Sequence, residues 1–105
     1  MNSQEKVNKI KEILDSKKAI DIEILKVEEK TTLAEYFVIA TGTSTTHIRS
    51  LVGEVEEKMK ELNIIPNNLE GRMSDSWIII DYGSVIVNVF SQEARGYYEL
   101  DKLWK

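Results

Sequence analysis

Apolar residues recur along this chain with two different periods. Val7, Ile10, Ile13 and Leu14 fall at helical spacing with lysine and glutamate between them, which predicts a helix over residues 4 to 17. Lys17 and Lys18 stand at its carboxyl end, where positive charge suits the helix dipole. The period then changes to two. Ile20, Ile22 and Ile24 alternate with Asp21, Glu23 and Leu25, so residues 19 to 27 predict a strand with one wetter face, near a sheet edge. Tyr36 to Ala40 is almost continuously apolar, as in a central strand covered on both faces. Ile48, Leu51, Val52, Val55, Met59 and Leu62 give the cleanest amphipathic helix pattern in the chain, with Ser44 or Thr43 as its N-cap. On the wet side Glu54 and Glu56 each stand four residues before a lysine, Lys58 and Lys60. Each such pair is worth about 0.3–0.5 kcal/mol at best.

Asn63 to Asn68, with the only proline at position 66, breaks that helix. Trp77 to Asp81 and Val85 to Phe90 predict two strands joined by a hairpin turn, with Gly83 placed for positive φ. Ser91 and Glu93 open a short helix through Tyr98. The segment Leu100 to Trp104 is apolar enough to fold back onto the domain. The expected class is α/β: one domain over residues 1 to 105, with a mixed sheet of about four to five strands and helices packed on it.

Composition narrows the chemistry. With 42% apolar residues a packed core is feasible, and 105 residues suit one domain better than two. The absence of cysteine removes disulfides, thiolate metal sites and a cysteine nucleophile together. No apolar run approaches the roughly 20 residues of a membrane-spanning helix, and Asn2 to Lys6 are all polar, so a cytoplasmic protein is expected. The net charge is −4 and the pI about 5.0. Without a basic cluster the chain is expected to make little direct contact with nucleic acid. An acidic domain can still work beside RNA if it grips a basic protein.

The strand from Tyr36 turns through Thr41, Gly42, Thr43 and Ser44 directly into the long helix. Such a turn presents N–H groups with no partner in the helix, a common place to hold a ligand. Yet this turn has neither the second glycine nor the lysine of a G-x-x-x-x-G-K-S/T phosphate loop, and no G-x-G-x-x-G follows a strand. One histidine, His47, and no Asp-x-Asp pair on a strand end give no recognisable metal set. Ser44, His47 and Asp81 include the residue types of a hydrolase triad. Ser44 at a helix start reads better as a cap, and His47 as an exposed or locally hydrogen-bonded helix residue.

Trp77 at a strand start reads equally well as a core residue or an interface anchor. Tyr97 and Tyr98 diverge by about 100° on a helix, so one of them is expected to be exposed. Arg95 lies three before Tyr98, on the same face. An exposed Tyr–Arg patch beside a tryptophan suits protein recognition. Spacing alone puts that reading only slightly ahead of a purely structural one.

Five motifs, in this order and spacing, resemble one family. They are Tyr36 to Arg49 (YFVIATGTSTTHIR), Glu70-Gly71, Trp77 to Gly83 (WIIIDYG), Val85 to Phe90 (VIVNVF), and Glu93 to Arg95 with Tyr98 to Trp104 (YELDKLW). Together they resemble the ribosomal silencing factor family (RsfS, also called Iojap-like), over Lys11 to the C-terminus. The resemblance implies a binding protein rather than an enzyme, with a nucleotidyltransferase-like α/β fold lacking the catalytic carboxylates. No cofactor and no metal are expected. It implies attachment to the large ribosomal subunit through its L-fourteen protein, steric blocking of small-subunit joining under nutrient limitation, and a homodimer away from the ribosome. By motif match the partner-binding residues are Trp77, Asp81, Tyr82, Arg95 and Tyr98, with Thr43, Ser44 and His47 from a further signature. Many members have histidine where this chain has Asn88. The alternative is a nucleotidyltransferase-like enzyme holding a nucleotide at the Thr41–Ser44 turn.

Overall fold

The computed structural model describes residues 1–99 and 102. Helix α1 (Ser3–Ser16) is followed by β1 (Ile20–Lys26), β2 (Tyr36–Gly42), α2 (Thr45–Glu61), β3 (Asn68–Glu70), β4 (Trp77–Asp81), β5 (Val85–Ser91) and α3 (Gln92–Tyr98). The five strands form one mixed sheet in the order β1-β2-β5-β4-β3. Only β2 and β5 run parallel; the other neighbours are antiparallel. The parallel pair is the connection that requires a crossover, and α2 with the β3–β4 segment supplies it.

Strand alternation sorts the core into two halves. Val38, Ala40, Ile78, Ile80, Val85, Val87 and Val89 face α1 and α2 in one buried cluster. Leu25, Phe37, Ile39 and Phe90 face the other way, where Ala94 of α3 packs on them. The two long helices thus cover one face and the seven-residue α3 covers part of the opposite one. β1 is an edge strand, as its mixed pattern predicts. Its register shifts between Ile20 and Glu23, and Asp21 sits at φ 49. That irregularity and the charges of Asp21 and Lys26 discourage edge-to-edge pairing.

Helix ends follow local chemistry. Asn2 caps α1 in a reciprocal capping box with Glu5. At its other end Lys18 takes a left-handed conformation (φ 62), and the Ala19 and Lys18 amides return to the Leu14 and Asp15 carbonyls. Asn63 ends α2 in the same manner, with Ile64 N–H donating to the Met59 carbonyl. On α2, Glu56 does not engage Lys60 as expected. It makes a double contact with Arg72 on the β3–β4 segment, at 3.2 and 2.9 Å, while Lys58 meets Glu61. The rigid guanidinium fork outcompetes a flexible ammonium for a carboxylate. The Leu100–Trp104 segment, apart from Lys102, lies outside the described residues.

Gly42 ends β2 where the chain must turn at once into α2. A Cβ there would lie 2.8 Å from Ile48 Cγ1 and 3.0 Å from the Ile48 backbone nitrogen. Backbone cannot yield as a flexible side chain does, so Gly42→Ala is expected to cost about 1–3 kcal/mol through overpacking. A lowered urea midpoint with unchanged slope is the expected reading; an unchanged midpoint would contradict this close approach.

Candidate functional site: an aromatic groove at the strand ends

The parallel strands β2 and β5 end side by side, with Gly42 opposite Ser91. From there α2 leaves toward one face of the sheet and α3 toward the other. A crevice opens where neighbouring parallel strands send their helices to opposite faces, the usual ligand position in open α/β sheets. Here it is a groove of about 490 Å³ whose lining includes Thr43, Asp75, Ser91, Glu93, Tyr97 and Tyr98.

Two serines build its ends. Ser44 Oγ accepts from the His47 amide at 3.1 Å and starts α2; Ser91 Oγ accepts from the Ala94 amide at 3.1 Å and starts α3. At α2 the Thr43 and His47 amides are already occupied. The Thr43 amide donates to His47 Nδ1 at 2.9 Å, which makes Nδ1 an acceptor and Nε2 the protonated nitrogen. Nε2–H in turn donates to the Lys17 carbonyl, 2.8 Å away, at the end of α1. His47 is therefore a clamp between two helix ends. The Ser44–His47–Asp81 combination does not assemble: both ring nitrogens are taken by Thr43 and Lys17, and Asp81 stands at the far end of β4. Among the described residues no group of three or more His, Asp or Glu could hold a metal ion.

The aromatic side of the groove comes from three elements. Trp77 opens β4 directly opposite Phe90 on β5, with ring centroids 4.9 Å apart. Tyr98 of α3 lies 4.8 Å from Trp77, and Tyr97 meets Tyr98 edge-on at 5.1 Å. Tyr97 is 81% exposed and Tyr98 47%, while Trp77 is half-buried. The result is a stepped aromatic surface, from a core phenylalanine through Trp77 and Tyr98 to a solvent-facing Tyr97. Asp75 and Glu93 are exposed beside it, and Arg49 pairs with Asp75 at 3.0 Å.

Of the expected residues, Thr43 and Tyr98 line the groove, with Trp77 packed against Tyr98; Ser44 and His47 stand at the start of α2 beside it, and Arg95, Asp81 and Tyr82 lie elsewhere. Arg95 does not join Tyr98 in an exposed patch. Its side chain is 12% exposed and turns inward, donating to Thr41 Oγ1 at 2.9 Å and to Glu23 at 3.5 Å. A buried cation needs such partners, and here they tie α3 to β1 and β2. Asp81 Oδ1 accepts from the Gly83 amide at 2.7 Å and so builds the hairpin turn. Tyr82 is 4% exposed, in the cluster under α1 and α2, where no partner protein reaches its ring. Tyr97, Asp75 and Glu93 are groove residues that the motif match did not supply.

Tyr82 carries its own signature. Its hydroxyl is buried without a hydrogen-bond partner. Burial pushes the phenol from 10.0 up to about 12, with the Glu56 carboxylate adding to the rise. A group whose folded pKa is raised stabilises the fold below its unfolded value, and that contribution is lost as pH climbs from about 10 through about 12. Tyr82→Phe is expected to raise stability by about 1 kcal/mol near neutral pH, because it removes an unsatisfied hydroxyl. It should also remove part of the alkaline loss. Urea titrations at pH 7 and pH 11 check both; a destabilised variant would contradict the orphaned hydroxyl.

The family profile described as "ribosomal silencing factor during starvation" matches residues 1–105. The chain belongs to the ribosomal silencing factor (RsfS) family. The chain is 36% identical over 90 residues to the ribosomal silencing factor RsfS of Bacillus subtilis (strain 168), covering 86% of this chain and 76% of that one. It is 34% identical over 95 residues to the mouse protein named mitochondrial assembly of ribosomal large subunit protein 1, covering 88% of this chain and 42% of that one. A crystal structure of a Chromobacterium violaceum protein superposes with a TM-score of 0.96 at 33% identity, covering 99% of this chain and 87% of that one.

Proposed function

We propose that this chain attaches to the large ribosomal subunit by gripping its L-fourteen protein, and that it lowers translation by occupying the face where the small subunit joins. Membership of the RsfS family supports ribosome association. The observation that carries the finer reading is the stepped aromatic surface: Tyr97 and Tyr98 exposed over a half-buried Trp77. Exposed tyrosine and tryptophan over a fixed base make interface anchors, since they bury large area with little side-chain freedom to lose. Glu93 beside them, and the net charge of −4, favour a basic protein as partner.

The mechanism is occupancy. A standard contact buries roughly 800 Å² per partner, within reach of a body 31 × 31 × 21 Å across its Cα atoms. No bond is made or broken and no cofactor takes part. The protein works in the cytoplasm under nutrient limitation, and pairs with a second copy when free of the ribosome. Co-sedimentation with purified large subunits, with and without the L-fourteen protein, tests the reading. The chain should pellet with complete subunits and stay in solution with depleted ones. Equal pelleting with both would overturn the assignment of the partner.

A further inference from the structure

Asn88 is a buried amide among apolar neighbours. It is 3% exposed in the middle of β5, between Ile39 on β2 and Ile79 on β4. Burying an amide is costly unless it is bonded, so a core asparagine calls for an explanation. Its partner is Trp77, whose Nε1–H lies 3.1 Å from Oδ1. Indole nitrogen only donates, so the amide oxygen, and not its nitrogen, must face it. The same indole lies 4.9 Å from the Phe90 ring and 4.8 Å from the Tyr98 ring. Two ring contacts limit where the indole sits. The hydrogen bond fixes how it is turned.

We propose that Asn88 is a positioning residue for the docking surface: by anchoring the Trp77 indole from below, it sets the platform on which Tyr98 is presented to the partner. The inference rests on the proposed function above. Asn88 touches no partner itself. It lowers the cost of binding because an indole already fixed has no orientation left to lose on contact. A purely structural role would show in stability and leave affinity alone.

The test combines Asn88→Leu, which keeps the volume and loses the acceptor, with Trp77→Phe, which keeps an aromatic ring and loses the donor. Affinity for isolated large subunits and thermal midpoint are measured for the wild type, both single variants and the double variant. Asn88→Leu should weaken binding severalfold, up to about tenfold, because the indole must then be ordered on contact, while the midpoint falls only modestly because leucine fills the amide's volume. In the Trp77→Phe background the same change should leave affinity almost unaffected. NMR of the wild-type chain supplies a readout independent of folding in the variants: the Trp77 indole proton should exchange slowly with solvent.

Wild-type affinity in Asn88→Leu, equal losses in both backgrounds, or a rapidly exchanging indole proton would each overturn the inference. A wild-type chain that does not bind large subunits at all would instead sink the functional reading, and this inference with it. The two failures are therefore told apart by the wild-type measurement alone.

Discussion

Tyr98→Ala is expected to weaken attachment to the large ribosomal subunit by about 2 kcal/mol or more, roughly thirtyfold. Tyr98 is 47% exposed and packs at a tilt against Trp77, so its truncation removes anchor area and little core. The thermal midpoint should move by only a few degrees. Trp77→Ala is expected to lose at least as much affinity and also stability. The indole packs on Phe90, a fully buried residue, and bonds to Asn88. Titration of labelled protein against isolated large subunits, paired with a melting curve for each variant, separates the two effects. Wild-type affinity in a folded Tyr98→Ala variant would remove the groove as the docking surface.

The second large effect lies inside the fold. Arg95→Ala is expected to cost about 2–3 kcal/mol, because Glu23 and Thr41 would each lose a partner in a largely buried setting. Helix α3 has seven residues, far too few to be stable without tertiary anchors. Its loosening should also carry Tyr97 and Tyr98 away from the groove. Stability and affinity therefore fall together, unlike in Tyr98→Ala. Arg95→Lys should not restore the wild type, since one ammonium cannot reproduce two separate guanidinium contacts. Urea unfolding of both variants decides it, and an Arg95→Ala midpoint equal to wild type would show that α3 is held by other means.

Elements with strong periodicity were legible in the residues. The spacing from Ile48 to Met59 specified α2, and Ser44 and Ser91 marked the helix starts that bound the groove. The interrupted alternation of β1 placed it at an edge. Strand β3 was not legible, because Asn68, Leu69 and Glu70 offer a single apolar residue and no period to read. Arg95 was misplaced for another reason. Helical spacing fixes which side of α3 it leaves from, but its partners Thr41 and Glu23 lie 54 and 72 positions away. Only tertiary structure brings them near.

Tyr82 is the instructive case. Ile78, Ile80 and Tyr82 share the buried face under α1 and α2, whereas the motif match implies a partner-binding role for Tyr82. The period of two prevailed, since burying an aromatic ring outweighs leaving one hydroxyl unpaired. The groove itself depends on helices leaving adjacent parallel strands in opposite directions. That handedness of connection is a property of the assembled sheet, so Asp75 and Glu93 could not be recognised as neighbours of Tyr97 from their spacing.

The central claim is tested most directly by watching subunits join. Light scattering reports joined particles when small subunits are mixed with large subunits pre-incubated with this chain. Saturating wild-type protein should lower the amplitude of joining, and the doubly substituted Tyr97→Ala, Tyr98→Ala protein should leave it intact. Full joining while the wild-type protein remains bound to large subunits would contradict the account.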